Sequence, residues 1–562
     1  MGKYLADVVY SDGIKQIVQT KFGGYNRRDS AGNGDIVDML NMTSDRFPLL
    51  STKKCNRIDG AVNMTAPNGI TGHNALAWVD GTEFYYDGAE KGTVTNDKKT
   101  FAWLGDICVI LPDKKFYNAK TDTFGSLGAK VENQSVQIKD GTYAGVEAKA
   151  NTIYKAGFDW SAIFKVGDAV TITGATDPHN NRTPVIREIE GAEMRFYEFT
   201  FDIGTATSLD QTLTIERQIP DLDFICENEN RLWGCKGDTI YASALGNPFV
   251  WYDYEGLSTG SFAVDVGSAG SFTGCYSYLG YPIFFKENHI YKAYGTKPSN
   301  FQLMGSATLG VKDGCSKSLA VAGDTLFYYS PQGICAYTGG MPRLVHDTFG
   351  VYTFGNAVGG SDGIKYYISM YGTMTDTTPP ALGWTVFCYD TRYGVWHKEG
   401  HTQAINYAYC RGLWMLTSTG RIIAVGEQRL KSLNYVVAEY NNMVEFGDFT
   451  SDSPNKKITG KLLLRLELGG SGVTGVSSSL SVDVKFDDGE WEEIAKIGET
   501  MTDDPSARPL TYKAELDDKR SYYLSFIIQR CDRYRIRLRG VGTWVLHSLT
   551  REETGGSPLK KH

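Results

Sequence analysis

Several residue groupings in this chain have types and spacings that could do chemistry. His397 and His401 stand four apart in HKEGH. On one face of a helix such a pair can hold zinc, with a Glu beside the first His as general base. Here Glu399 sits at the wrong offset, Gly400 breaks a helix, and a strand ending at Trp396 precedes the segment. The spacing therefore predicts a loop rather than a metal centre. Residues 470–475 read GSGVTG, formally a G-x-G-x-x-G. A dinucleotide site needs a strand before that run and a helix after it, whereas VSSSLSVDV follows, which reads as another strand. FDDGEW, from Phe486 to Trp491, resembles a fragment of the S-x-D-x-G-x-x-W boxes of sialidase-type propellers, but no complete box occurs.

Ten cysteines occur and none forms C-x-x-C. Most lie in apolar strands such as DICVIL, WTVFCYD and GICAY, where a free thiol behaves as a small hydrophobe. Closely spaced zinc-ligand pairs are lacking. There is no G-x-S-x-G elbow and no P-loop. The residues point to no catalytic group, no cofactor-binding group and no metal ligand, and the chain is expected not to be an enzyme. Free cysteines fit synthesis in a reducing cytoplasm. The strongest local positive patch is Arg533, Arg535, Arg537 and Arg539 in DRYRIRLRG, with Arg530 and Arg551 nearby. Alternation sends these four to one side of a strand and Tyr534, Ile536 and Leu538 to the other. The stripe is either a solvent face paired with nearby Asp and Glu, or a contact with a partner or another subunit. It is the candidate interface.

The elements that would position such groups are strands. A short apolar strand, a Gly/Asp/Asn turn and a second strand rich in Tyr and Phe recur as ALAWVDGTEFYYD, DICVILPDKKFY, RLWGCKGDTIYAS, YPIFFKENHIY, DTLFYYSPQGICAY and GLWMLTSTGRIIA. A seventh pair, KYYISMYG and WTVFCYD, is split by a longer loop. From the fourth pair the turns recur at about 40–50 residues, which is blade spacing. A repeated hairpin cannot bury its face alone, so radial stacking is implied. The fold class expected is all-β: a β-propeller of about seven blades with an inserted small β-domain and a C-terminal β-sandwich.

Residues 1–55 read as an extended arm whose Ile36, Met39, Leu40, Phe47, Leu49 and Leu50 could staple it to the body. Residues 56–127 hold the first blades. Residues 128–220 read as the inserted β-barrel-like domain, with strands around Val166, Val170 and Ile172, Val185 and Ile186, Phe196 and Phe199, and Leu213 and Ile215. Residues 221–434 hold the remaining blades. Residues 435–553 turn to long alternating strands, with Gly489 taking positive φ in the FDDGEW turn, and 554–562 form a frayed tail.

With 562 residues, 41% hydrophobic and 22% charged, the composition is that of an ordinary folded chain of more than one domain. A net charge of −8 argues against a surface that grips nucleic acid. No signal peptide is expected at MGKYLADVVYSDG, and no apolar run of membrane-spanning length is seen.

Three segments resemble one family. NRRDSAGNGDIVDMLNMTSDRFPLLSTK carries Asp38-Met39-Leu40-Asn41 followed by the phrase from Ser44 to Ser51; Glu229 to Trp251 reads ENRLWGCKGDTIYASALGNPFVW; and Ile527 to Glu552 reads IIQRCDRYRIRLRGVGTWVLHSLTRE. Together they are similar to the β-propeller tail nozzle, stabilisation or tail-hub proteins of tailed bacteriophages. The resemblance implies a structural virion protein, made in the host cytoplasm and located in the tail. It implies a homo-oligomeric ring, usually hexameric, below the portal and head–tail adaptor. That ring would extend the DNA channel, retain the genome without specific DNA binding, and dock fibre or spike proteins. It transfers no catalytic residue. The alternative is a carbohydrate-binding, receptor-reading propeller of a phage tail, for which exposed aromatics at loop tips would be the mark.

Overall fold

The structure, a computed structural model, describes residues 14–53, 57–59, 62–350, 354–374, 381–425, 435–437, 441–450, 456–470, 477–498 and 509–555. It is all-β, and its helical content among these residues is five short 3-10 turns. Each of the seven tyrosine-rich pairs forms the central hairpin of one antiparallel sheet. Sheet 1 comprises Pro67–Gly72, Leu76–Asp80, Glu83–Tyr86 and Ala89–Thr93; sheet 2 runs from Thr100–Leu104 to Thr123–Ser126. Sheet 3 spans Phe224–Asn228 to Phe262–Asp265, sheet 4 Gly274–Tyr278 to Gln302–Ala307, and sheet 5 Ala320–Ala322 to Arg343–Leu344. Sheet 6 contains Ala357–Ser361, Lys365–Met374, Ala381–Asp390 and Val395–Gly400. Sheet 7 contains Ala404–Tyr409, Leu413–Thr417 and Ile422–Ala424, continued by Arg57–Asp59 from far earlier in the chain and then by Tyr435–Val437. The repeated Gly-Asp-Thr turns start at Gly237 and Gly323, both at φ +57, a conformation that costs glycine nothing.

Each sheet buries one apolar face on the next. Val79, Phe84, Cys108 and Tyr117 join sheets 1 and 2, and Trp233, Ile240, Cys275 and Phe284 join sheets 3 and 4. Tyr367, Cys388, Leu413 and Met415 join sheets 6 and 7. Sheet 7 packs in turn on sheet 1 through Ile70, Trp78, Trp414 and Leu416. At this last contact the backbones nearly touch. Asn406 Nδ2 donates to the Ile70 carbonyl at 2.8 Å, and a Cβ on Gly72 would lie 2.3 Å from the Tyr409 carbonyl oxygen.

Between sheets 2 and 3 a six-stranded sheet has its own core of Ile138, Ile153, Trp160, Phe164, Met194, Phe196 and Leu213. Its longest hairpin, Ala129–Tyr143 with Val146–Tyr154, was not expected from the sequence. Val166 and Phe199, expected on strands, lie in connections outside them and are exposed.

Two further sheets face each other around Leu464, Leu466, Val482, Val484, Ile536, Leu538, Leu546 and Leu549. One has the order Met42–Thr43, Leu50–Thr52, Trp544–Gly555, Lys457–Leu468, Lys519–Cys531, with Lys15–Gln19 also paired to Trp544–Gly555. The other has the order Ile36–Leu40, Asn441–Phe446, Tyr534–Val541, Ser479–Phe486, Glu492–Gly498, Leu510–Lys513. The segment read as an arm therefore runs as strands inside both sheets, with Ile36, Met39 and Leu50 in their core. That core continues without a break into sheets 4 to 6. In the FDDGEW turn it is Asp487, at φ 46, that takes positive φ, while Gly489 does not, correcting the expectation.

Candidate functional site

Arg535, Arg537 and Arg539 lie on Tyr534–Val541, the third strand of its sheet, and Arg533 immediately precedes it. Alternation holds: Tyr534, Ile536 and Leu538 are buried and the four guanidiniums lie on the outer face. Each arginine meets carboxylates on the neighbouring strands and turns. Arg533 Nη2 donates to Asp488 Oδ1 at 2.5 Å. Arg535 Nε donates to Asp448 at 2.6 Å and its Nη1 to Glu445 at 3.2 Å. Arg537 Nε donates to Asp483 at 2.9 Å, with its guanidinium 4.2 Å above the Trp491 ring. Arg539 grips the same buried Asp483 through Nε and Nη2 at 2.6 and 2.9 Å. Hydrogen bonds to Asp448 and Asp483 raise the Arg535 and Arg539 pKa values further. The stripe is thus a ladder of neutralised pairs on one sheet. Arg551 and Arg530 do not join it. Arg551 is buried, pairs with Glu553 at 2.9 Å and covers the Phe449 ring. Arg530 lies on Lys519–Cys531 of the opposite sheet.

A second cluster lies where the N-terminal strands cross sheet 6. Lys398 Nζ meets Asp38 at 2.6 Å, Lys53 Nζ meets Glu399 at 2.6 Å, and Lys365 pairs with Asp45. Ser44 donates to Asp390 at 2.6 Å, and Arg392 holds the same carboxylate at 2.7 Å. A buried lysine or glutamate is tolerated only when paired in this way. Sequence reasoning missed Asp38, Asp45, Lys53, Lys365 and Lys398, since their partners lie more than 300 residues apart.

HKEGH runs through this cluster, but not as a loop. Val395–Gly400 is a strand, paired with Ala381–Asp390 so that His397 stands opposite Cys388. The expected loop is corrected to a strand whose charged residues are buried by the crossing segment. His401 lies just beyond the strand, exposed, with Nδ1 3.3 Å from the Trp384 carbonyl. The two histidines are not brought together on a helix face. His397 is 3% exposed, and neither ring nitrogen has a hydrogen-bond partner. Burial lowers its pKa, so the ring is neutral near pH 7. Burial likewise pushes the Cys388 thiol well up. The nine cysteines in the described residues are free, and all but Cys226 are buried; Cys55 and the GSGVTG residues 471–475 lie outside the described residues.

No family model matches the chain, and no curated protein does. Among solved structures, PorZ, a surface component of the type-IX secretion system of Porphyromonas gingivalis, is 12% identical, over 91% of this chain and 86% of that one, at a TM-score of 0.27. A carbohydrate-binding module of the β-sandwich superfamily is 9% identical, over 57% of this chain and 97% of that one, at 0.14. The extracellular domain of a hybrid two-component system from B. thetaiotaomicron is 8% identical, over 85% and 95%, at 0.20. At these scores the likenesses carry no argument about function. No helix among the described residues is long and apolar enough to cross a membrane.

Proposed function

We propose that the seven sheets close into a seven-bladed propeller and that the chain is a structural protein of a phage tail. In this reading it is the nozzle subunit, copies of which form a ring that extends the DNA channel. Closure is supported by the packing of sheet 7 on sheet 1 and by the capture of Arg57–Asp59 between Ile422–Ala424 and Tyr435–Val437. A disc of stacked blades fused through one core to a sandwich is a stiff block with many loops, suited to ring packing.

The observation that carries assembly is the outer face of Lys519–Cys531. Among the described residues this strand is last in its sheet, and it leaves Tyr523, Ile527 and Ile528 at 72%, 67% and 70% exposure. Exposed apolar side chains on a strand at a sheet's end mark a surface that another chain covers. The occupant here is a second copy in a ring, and a net charge of −8 disfavours tight holding of DNA by the assembly. The test is electron microscopy of the purified full chain together with native mass. Rings with a central pore are expected, and they should disperse in the Tyr523→Asp/Ile527→Asp variant. A monomer at every concentration, or rings unchanged in that variant, refutes the reading.

A further inference from the structure

We propose that Cys388, His397 and Glu399 form a binding site for one late first-row divalent cation, zinc by ligand type, at the junction of sheets 6 and 7. The site does not depend on the tail reading. Among the described residues these three offer one ligand atom each, all within 4.8 Å of one another, and all three residues are buried. Cross-strand register creates the set. Cys388 and His397 are direct partners on adjacent antiparallel strands, and Glu399 is the unpaired residue at the register shift two positions on, its carboxylate within reach of both. No short-range motif would reveal such a set, because a hairpin rather than a knuckle brings the ligands together.

The physical case rests on His397. A buried imidazole with neither nitrogen hydrogen-bonded is costly and calls for an explanation. Ligation of one nitrogen removes that cost. His397 Nε2 already lies 3.8 Å from Glu399 Oε1. Zinc bonded at about 2.0–2.3 Å in a tetrahedron separates its ligand atoms by about 3.3–3.7 Å, so side-chain shifts of about 1 Å complete the geometry. Thiolate, imidazole and carboxylate together suit a borderline-soft ion rather than calcium or magnesium. The other Glu399 oxygen, Oε2, is held by Lys53 Nζ, an outer contact of the kind that orients a ligating carboxylate. A cavity of about 30 Å³ beside Glu399 is also lined by Tyr407, whose buried hydroxyl has no hydrogen-bond partner. The lining of that space includes neither Cys388 nor His397, so a water there serves Tyr407 and Glu399, and the fourth ligand is a separate solvent molecule. The nearby ammoniums of Lys53 and Lys365 are each paired to a carboxylate. Binding deprotonates the Cys388 thiol, and the proton passes to buffer.

The experiment uses the full chain, stripped of metal under reducing conditions and titrated with cobalt(II) as a spectroscopic substitute. One equivalent should give a thiolate-to-cobalt charge-transfer band and tetrahedral ligand-field bands, displaced by zinc. Cys388→Ser should abolish the charge-transfer band, and His397→Gln should weaken binding at least about tenfold. Cys335→Ser, a buried thiol outside the cluster, should leave both bands intact. If a variant fails to fold, X-ray absorption of the cobalt-loaded wild type decides: one sulfur and one imidazole in the first shell support the site. A wild type that binds no cobalt, a shell lacking sulfur, or a charge-transfer band that survives in Cys388→Ser overturns it.

Discussion

Arg217 fastens the inserted sheet, and replacing it should loosen that sheet by a definite amount. Its side chain and that of Asp168 are 8% and 4% exposed, and Nη1 meets Asp168 Oδ2 at 2.6 Å. Nε donates to the Leu127 carbonyl at 2.9 Å on the segment entering the insert, and the guanidinium lies 5.3 Å from the Phe249 ring of the loop in sheet 3. Because both partners are buried, the rule for surface pairs does not apply. Removing one partner strands the other, at about 3–5 kcal/mol. Asp168 keeps one donor, the Lys165 amide at 2.9 Å, which favours the lower end, while the lost bond to Leu127 adds about 1 kcal/mol. Arg217→Met should therefore cost about 4 kcal/mol, or about a thousandfold in amide protection of Ala129–Tyr143, at 1.4 kcal/mol per decade. Arg217→Met/Asp168→Leu removes the stranded charge and should cost only about 1–2 kcal/mol, about 2–3 kcal/mol less than the single variant. Hydrogen exchange with mass spectrometry on the full chain reads all three proteins. Equal loss of protection in the single and double variants would refute the electrostatic reasoning and leave packing as the cause.

Gly72→Ala places a methyl 2.3 Å from the Tyr409 carbonyl oxygen and should cost about 1–3 kcal/mol by forcing sheets 1 and 7 apart; an unchanged thermal midpoint counts against tight closure there. Burial acts to raise the Asp113 pKa, but Lys99 and the Thr95 amide outweigh it and hold the carboxyl below its ordinary 3.8. A depressed acid stabilises the fold above its unfolded value, so sheet 2 should lose protection as pH falls below about 4, the ordinary Asp range. Lys99→Met should remove most of that dependence, and a parallel acid profile in the variant contradicts the pairing. Asp483 serves both Arg537 and Arg539. Asp483→Asn should therefore be eluted from a heparin column at higher salt than the wild type, and identical elution means the stripe was not neutralised by it.

The hairpins were legible because their signal is local. Alternating Tyr and Phe, plus glycine where φ must be positive, specify a hairpin without reference to the rest of the chain, as at Gly237 and Gly323. Ala129–Tyr143 was missed since its sequence, AKVENQSVQIKDGTY, offers few apolar residues; its sheet is half-exposed and draws its core from distant strands. Arg57–Asp59 is too short to carry a period, and its place is set by partners near Ile423 and Val436. The same holds for the cluster on sheet 6. HKEGH reads as a loop because sequence shows the charges of Lys398 and Glu399 and not the Asp38 and Lys53 that neutralise them in a buried strand. The arginine stripe was visible as alternation, yet its acidic partners Glu445, Asp448 and Asp483 come from other strands and turns.

The pairing of Ile58 with Ile423 also sets a clock on biosynthesis. The last sheet cannot be completed until its latest strands leave the ribosome, hundreds of residues after Arg57–Asp59 has emerged. At roughly 5–20 residues per second, that early strand waits roughly 20–70 s with its backbone amides unmatched. Nascent chains of this protein therefore pass through a long interval in which a holdase, or a neighbouring polysome's product, competes with the chain's own late strands for the same edge.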